Sequence, residues 1–259
     1  MNQLVRLRVP QITVLFWVAK ALSTAIGEST SDYLVVALSP VVAVLIGFAA
    51  FVIAILIQFT RRRYVAVFYW LAVVMVGIFG TMVADVIHVG FGVPYAISAP
   101  VFAVVLCVVF ITWRRVEGTL SIHSINSFRR ECFYWMAVIT TFALGTALGD
   151  LTATTLHLGY FGSASLFAIV IVVPVIGYRL ARWNAIFSFW FAYVMTRPLG
   201  ASVADWLGKP RMVGGVGIGS GWVALALTLA IVVVVSYLAV SKRDVQGGPV
   251  ATGHPLDSL

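Results

Sequence analysis

Five carboxylates lie inside segments that are otherwise strongly apolar: Glu28, Asp32, Asp85, Asp150 and Asp205. The four aspartates share one frame: an aromatic residue, a Trp, any residue and an Ala, with Gly ten and Asp fifteen places after the Trp. The copies are Phe16-Trp17 with Ala19, Gly27 and Asp32; Tyr69-Trp70 with Ala72, Gly80 and Asp85; Tyr134-Trp135 with Ala137, Gly145 and Asp150; and Phe189-Trp190 with Ala192, Gly200 and Asp205. Residues four apart share a helix face. Stepping back from each aspartate in fours gives Asp32, Glu28, Thr24; Asp85, Thr81, Gly77; Asp150, Thr146, Phe142; and Asp205, Ala201, Arg197. Carboxylates with Thr hydroxyls are hard oxygen donors that suit protons, Mg²⁺, Mn²⁺ or Ca²⁺.

The same segments contain two positive residues, Lys20 and Arg197, against those five negative ones. An excess of three buried negative charges calls for protonation or a bound cation. Lys20 and Arg197 belong to the first and fourth copies, which become neighbours if the copies close into a ring. They are therefore expected to pair with Glu28, Asp32 and Asp205. Asp85 and Asp150, backed by Thr81 and Thr146, are left as the expected residues for a substrate cation or transported proton. Two readings follow. One is a cation transporter or permeation pathway, for a metal ion or coupled to protons, in which a possible bound divalent cation is the only cofactor. The other is a non-transporting structural or assembly protein whose acidic ring is internal packing glue.

Other groups add smaller signals. His88 follows Asp85 by three residues and His157 follows Asp150 by seven, so Asp85, His88 and His157 could hold a transition metal at the membrane edge. Polar helix ends are the alternative. Pro198 removes a backbone donor in mid-segment, and a helix broken beside charged residues is a transporter device. Paired His on a helix, a Gly-x-Ser-x-Gly elbow and a Cys/His pairing in the right context are not found in the sequence, so no enzymatic activity is expected. Cys107 and Cys132 fall at different depths and are not expected to form a disulfide.

The elements that must position these groups are membrane helices. The 259 residues are 61% hydrophobic and 10% charged, against about 25% charged in soluble chains. Apolar runs long enough to span a bilayer recur along the chain. The expected fold is all-α and polytopic: eight transmembrane helices as four parallel two-helix repeats. Motif-bearing odd helices fall at about 11–33, 64–88, 131–154 and 184–206, and plain even helices at about 40–59, 95–113, 163–178 and 221–240. Odd helices are expected inside and even helices facing lipid, because intramembrane charge must avoid hydrocarbon. The repeats occupy 9–60, 61–113, 126–180 and 181–240, with a disordered cytoplasmic tail at 241–259.

Of the seventeen Lys and Arg, thirteen cluster before an odd helix or after an even one. This places both termini in the cytoplasm of a multi-pass membrane protein. The net charge of +8 thus reflects loop positions and not a nucleic-acid surface. The expected partners are the lipid bilayer and a small inorganic cation or proton; oligomeric state is not legible. The Trp of each motif is expected as an interfacial anchor, with Ala and Gly allowing close helix packing. Outer connections should be turn-like at Gly90-Phe91-Gly92-Val93-Pro94 and at Gly159-Tyr160-Phe161-Gly162.

At its four motif copies the chain resembles a bacterial membrane-protein family of unknown function. That family is built from four tandem repeats, each with two transmembrane regions and a tryptophan. The resemblance covers about residues 9–240, including Gly27-Glu28-Ser29-Thr30-Ser31-Asp32 and Gly145-Thr146-Ala147-Leu148-Gly149-Asp150. It implies the repeat count, the Trp positions and a bacterial inner (plasma) membrane location, and no substrate.

Overall fold

The computed structural model describes residues 7–245. The described chain is helical and holds eight long helical spans, one of them interrupted. The motif-bearing helices are α1 (Val14–Ala37), α3 (Ala66–Asp85), α5 (Phe128–Asp150) and α8 (Ala185–Gly208). Alternating with them are α2 (Pro40–Thr60), α4 (Tyr95–Glu117), the pair α6 (Gly159–Val170) and α7 (Val172–Leu180), and α9 (Ser220–Ser241). By length and composition, six of these spans are apolar enough to cross a membrane. Helices α1 and α8 are long enough, at 24 residues each, but carry Lys20, Glu28 and Asp32 or Arg197 and Asp205. This is the pattern of an integral membrane protein with a polar interior.

Local sequence sets the starts of these helices. The Thr13 hydroxyl accepts a hydrogen bond from Phe16 N, and the Asn184 carbonyl oxygen accepts from Ile186 N and Phe187 N. Ser39 precedes Pro40, which suits a first turn that needs no amide donor. Pro174 cannot bond back to Val170 and crowds its carbonyl, which accounts for the interruption at Ile171. Pro198 has no such effect. Helix α8 runs unbroken through it, so the expected discontinuity is absent. The expected turn at Gly159–Gly162 is likewise helical and opens α6.

Helices α1, α3, α5 and α8 pack in a closed ring, each against two others. In α3 and α5, 61% and 67% of the apolar stretch is buried, against 17–28% in the four alternating spans. The alternating spans therefore surround the ring. Each packs chiefly on the motif helix of the following repeat: α2 on α3, α4 on α5, α6 and α7 on α8, and α9 back on α1. The last contact closes the circle.

The motif residues explain the ring. A Cβ added at Gly27 would lie 2.8 Å from the Gly77 backbone, and one at Gly80 would lie 2.7 Å from Phe142 Cβ. A Cβ at Gly145 would collide with Arg197, and one at Gly200 with Thr24. Each motif glycine thus lets the next helix approach at the residue eight before that helix's own Asp. The aromatic-Trp pairs work similarly. Phe16 meets Trp70, Tyr69 meets Trp135, Tyr134 meets Trp190, and Phe189 meets Trp17, at centroid distances of 5.7, 5.7, 6.2 and 5.8 Å. Trp70, Trp135 and Trp190 are buried. These indoles are core links between repeats, not the interfacial anchors expected.

The tryptophan end of the bundle is tied by the segment 7–11. Tyr64 N donates to Leu7 O at 2.9 Å, Arg8 N to Ile125 O at 3.0 Å, and Gln11 N to Asp244 O at 2.8 Å. Arg8 pairs at 2.5 Å with the buried Glu131, which also accepts from Gln58 Nε2 at 3.0 Å. The expected disordered tail is therefore ordered where it begins: Asp244 is buried and accepts from the Tyr64 hydroxyl. Residues 246–259 of that expected tail lie outside the described residues.

Candidate functional site

The inward faces of the four motif helices stack in layers four residues apart, about 6 Å per step. The layer nearest the aspartates holds Glu28, Thr81, Thr146 and Ala201, all buried. The layer beneath holds Thr24, Gly77, Phe142 and Arg197. Arg197 is fully buried and reaches up into the layer above. Its Nη2 donates to Glu28 Oε2 at 2.9 Å, to Thr146 Oγ1 at 2.8 Å and to Thr81 Oγ1. Its Nη1 donates to Thr24 O at 3.0 Å. One guanidinium from the fourth repeat thus binds the other three. Only a planar multi-donor cation can do this from one position.

Above this hub stand Asp32, Asp85, Asp150 and Asp205, within electrostatic reach of one another and of Glu28. Asp205 is buried and the other three are half-buried. Oxygens of Glu28, Asp32 and Asp205 lie within 4.8 Å of one another, close enough for one metal ion. A lysine already projects there. Lys209 Nζ lies 2.6 Å from Asp32 Oδ2 and 3.6 Å from Asp205 Oδ1. These carboxylates draw the Lys209 ammonium upward from its ordinary titration range against the opposing effect of burial.

The expected pairing is met in one half and altered in the other. Arg197 pairs with Glu28, as expected. Lys20 pairs with no carboxylate among the described residues. Its Nζ, fully buried and without a hydrogen-bond partner, lies 3.9 Å from the Tyr193 ring centroid and 4.2 Å from that of Phe142. Lys209 instead takes Asp32 and Asp205. Asp85 makes no ion pair among the described residues, and Asp150 lies near the Tyr95 side chain.

The three groups proposed for a transition metal are not drawn together. The His88 ring stacks on Tyr95 at 3.6 Å, and its Nδ1 bonds Val93 O at 2.9 Å. His157 is exposed, with φ of 56°. His88 lies within, and His157 follows, one of two π-helical turns, Val86–Gly90 and Leu151–Thr155, that extend α3 and α5 past Asp85 and Asp150. Helices α1 and α8 carry no such turn.

The family model that matches the chain is described as a Repeat of Unknown Function (DUF347), and it matches four times: residues 15–64, 68–119, 133–183 and 188–244. The chain belongs to that family. No curated protein and no solved structure matches it. Each family repeat spans one motif helix and the alternating helix after it. The family description names no chemistry, so the residues must supply it.

Two sets of residues lie outside the expected site. Lys209 directly follows α8, and its position four after Asp205 puts it on the same helix face. The stripe also continues below Arg197. Two further steps of four reach Lys20, Val73, Val138 and Tyr193, then the motif aromatics Phe16, Tyr69, Tyr134 and Phe189.

Proposed function

We propose that the protein is an eight-span membrane permease for a small cation, with its binding site in the acidic layer above Arg197. In this reading α1 and α8 cross the bilayer with the other six spans, shielded by them from lipid. The four repeats run parallel, both termini are cytoplasmic, and the aspartate end faces outward. The carrying observation is the charge balance of the site. Five carboxyls, Glu28, Asp32, Asp85, Asp150 and Asp205, meet two cationic side chains, Arg197 and Lys209. A site so composed takes up positive charge, as protons or as a metal ion. Arg197 holds the floor, Lys209 acts as a tethered cation at the rim, and Asp85 and Asp150 receive the substrate.

A second reading has its own support. Lys209 on Asp32 and Arg197 on Glu28 are the contacts of an internal network that binds repeats together. The two readings separate in a melting screen of the detergent-purified protein against Mg²⁺, Mn²⁺, Ca²⁺, Zn²⁺ and pH. A site ligand at a hundred times its Kd stabilises by about 2.7 kcal/mol. The permease reading expects such a rise with a metal ion or with protons, and its loss in Asp85→Asn/Asp150→Asn. A melting temperature indifferent to every cation and to pH would favour the structural network.

A further inference from the structure

We infer that a file of buried polar side chains runs the length of the motif-helix ring, and that it carries protons between the acidic layer and Asp244. The inference rests on the cation reading above and names the cation. Every layer of the ring has polar members. Below the four aspartates come Glu28, Thr81 and Thr146, then Thr24 and Arg197, then Lys20 and Tyr193, then Tyr69 and Tyr134. From aspartate to motif aromatic is sixteen residues, or about 24 Å of helix, close to the thickness of the hydrocarbon core.

In the lower half, hydroxyls and rings meet in sequence, with hydrogen bonds at Tyr69–Tyr134 and at Tyr64–Asp244. The Tyr69 and Tyr134 hydroxyls are hydrogen-bonded to each other. The Tyr193 hydroxyl faces Tyr134 and has no well-formed bond of its own, while Lys20 Nζ sits over the Tyr193 ring. The Tyr64 ring meets Tyr69 edge-on at 5.6 Å, and its hydroxyl donates to Asp244 Oδ2. Burial holds the Asp244 carboxyl above its ordinary range. Lys20 is matched with aromatic rings and with no carboxylate among the described residues, beside Arg197.

One apolar member interrupts the file. The Phe142 ring separates Lys20 Nζ, at 4.2 Å, from the Arg197 guanidinium, at 5.0 Å. Movement of this ring lets Lys20 exchange a proton with Glu28. Transfer is balanced throughout. One proton joins a carboxylate at the aspartate end. Lys20 passes between amine and ammonium. Each tyrosine accepts a proton on oxygen as it gives its own to the next. One proton leaves Asp244, and only O–H and N–H bonds change.

The test uses the full chain in liposomes with an internal pH dye, driven by a potassium gradient and valinomycin, with Mn²⁺ uptake followed in parallel. Wild type is expected to acidify the lumen. Tyr69→Phe/Tyr134→Phe, which keeps both rings, should slow this more than tenfold, and Tyr237→Phe on the outer face should not. Lys20→Met should also abolish proton flux while raising the melting temperature, because it removes a buried charge that lacks a carboxylate. A purely structural Lys20 would show a lower melting temperature and unchanged flux. Proton flux within twofold of wild type in the tyrosine pair or in Lys20→Met overturns the file. Mn²⁺ uptake without proton flux overturns the file and keeps the permease. Absence of both overturns the two together.

Discussion

Arg197 is one residue with partners in three other repeats, and it concentrates the electrostatics of the site. Its Nη2 holds Glu28, Thr81 and Thr146 while its Nη1 holds the Thr24 carbonyl. Removing one partner of a buried ion pair costs about 3–5 kcal/mol, since the other charge is stranded. Arg197→Met is expected to lose that much stability in a detergent denaturation series. Adding Glu28→Gln should return most of it, and strictly additive single effects would show that the two side chains are not coupled. The stripe of acids and hydroxyls was legible in the sequence because a helix repeats every 3.6 residues. The partners of Lys20 were not. A stripe gives depth along one helix, whereas Phe142 and Tyr193 reach Lys20 from two other helices. Lys209 was missed because its loop position hid a side chain that turns back onto the ring.

At the scale of helices, the motif is a device for close approach. Its glycine admits the neighbouring helix, and its aromatic residue covers the neighbour's Trp. Gly145→Ala puts a methyl into the Arg197 side chain. Overpacking of this kind costs about 1–3 kcal/mol, and here it also displaces the hub. Gly145→Ala should therefore melt lower than wild type by that margin, while Gly90→Ala, whose nearest contact would be Val86 Cγ1 at 3.6 Å, should melt with wild type. Equal melting of the two variants would remove the packing role. Helix number and limits followed from apolar run length. The Trp function did not, because interfacial anchoring and inter-repeat packing both place an indole near a helix end. The unbroken α8 shows that Pro198 in a packed bundle need not end a helix.

For the whole molecule, four copies of one frame close into a ring whose outer helices each brace the next repeat. Tandem copies announced the ring. The handover of α2 to α3, and of α9 to α1, was not legible, because sequence order speaks only for chain neighbours. The proposed orientation makes a direct statement about access. In a Cys107→Ser/Cys132→Ser background, Asn2→Cys and Ser258→Cys should resist an impermeant maleimide in intact cells, and Met212→Cys, between α8 and α9, should react. Labelling of Asn2→Cys in intact cells would reverse the orientation. Symmetry alone would give four equal sites. Divergence at the positions four and eight before each Asp instead puts Glu28 in one repeat, Arg197 in another, and Thr81 and Thr146 in the remaining two.

The decisive measurement is cation flux into liposomes containing wild type or Asp85→Asn/Asp150→Asn, compared at equal reconstitution. Uptake of protons or a metal ion by wild type, reduced more than tenfold in the double variant while its gel-filtration profile is unchanged, is the expected result. Equal flux in the two proteins, or none from correctly folded wild type, would contradict a cation site above Arg197.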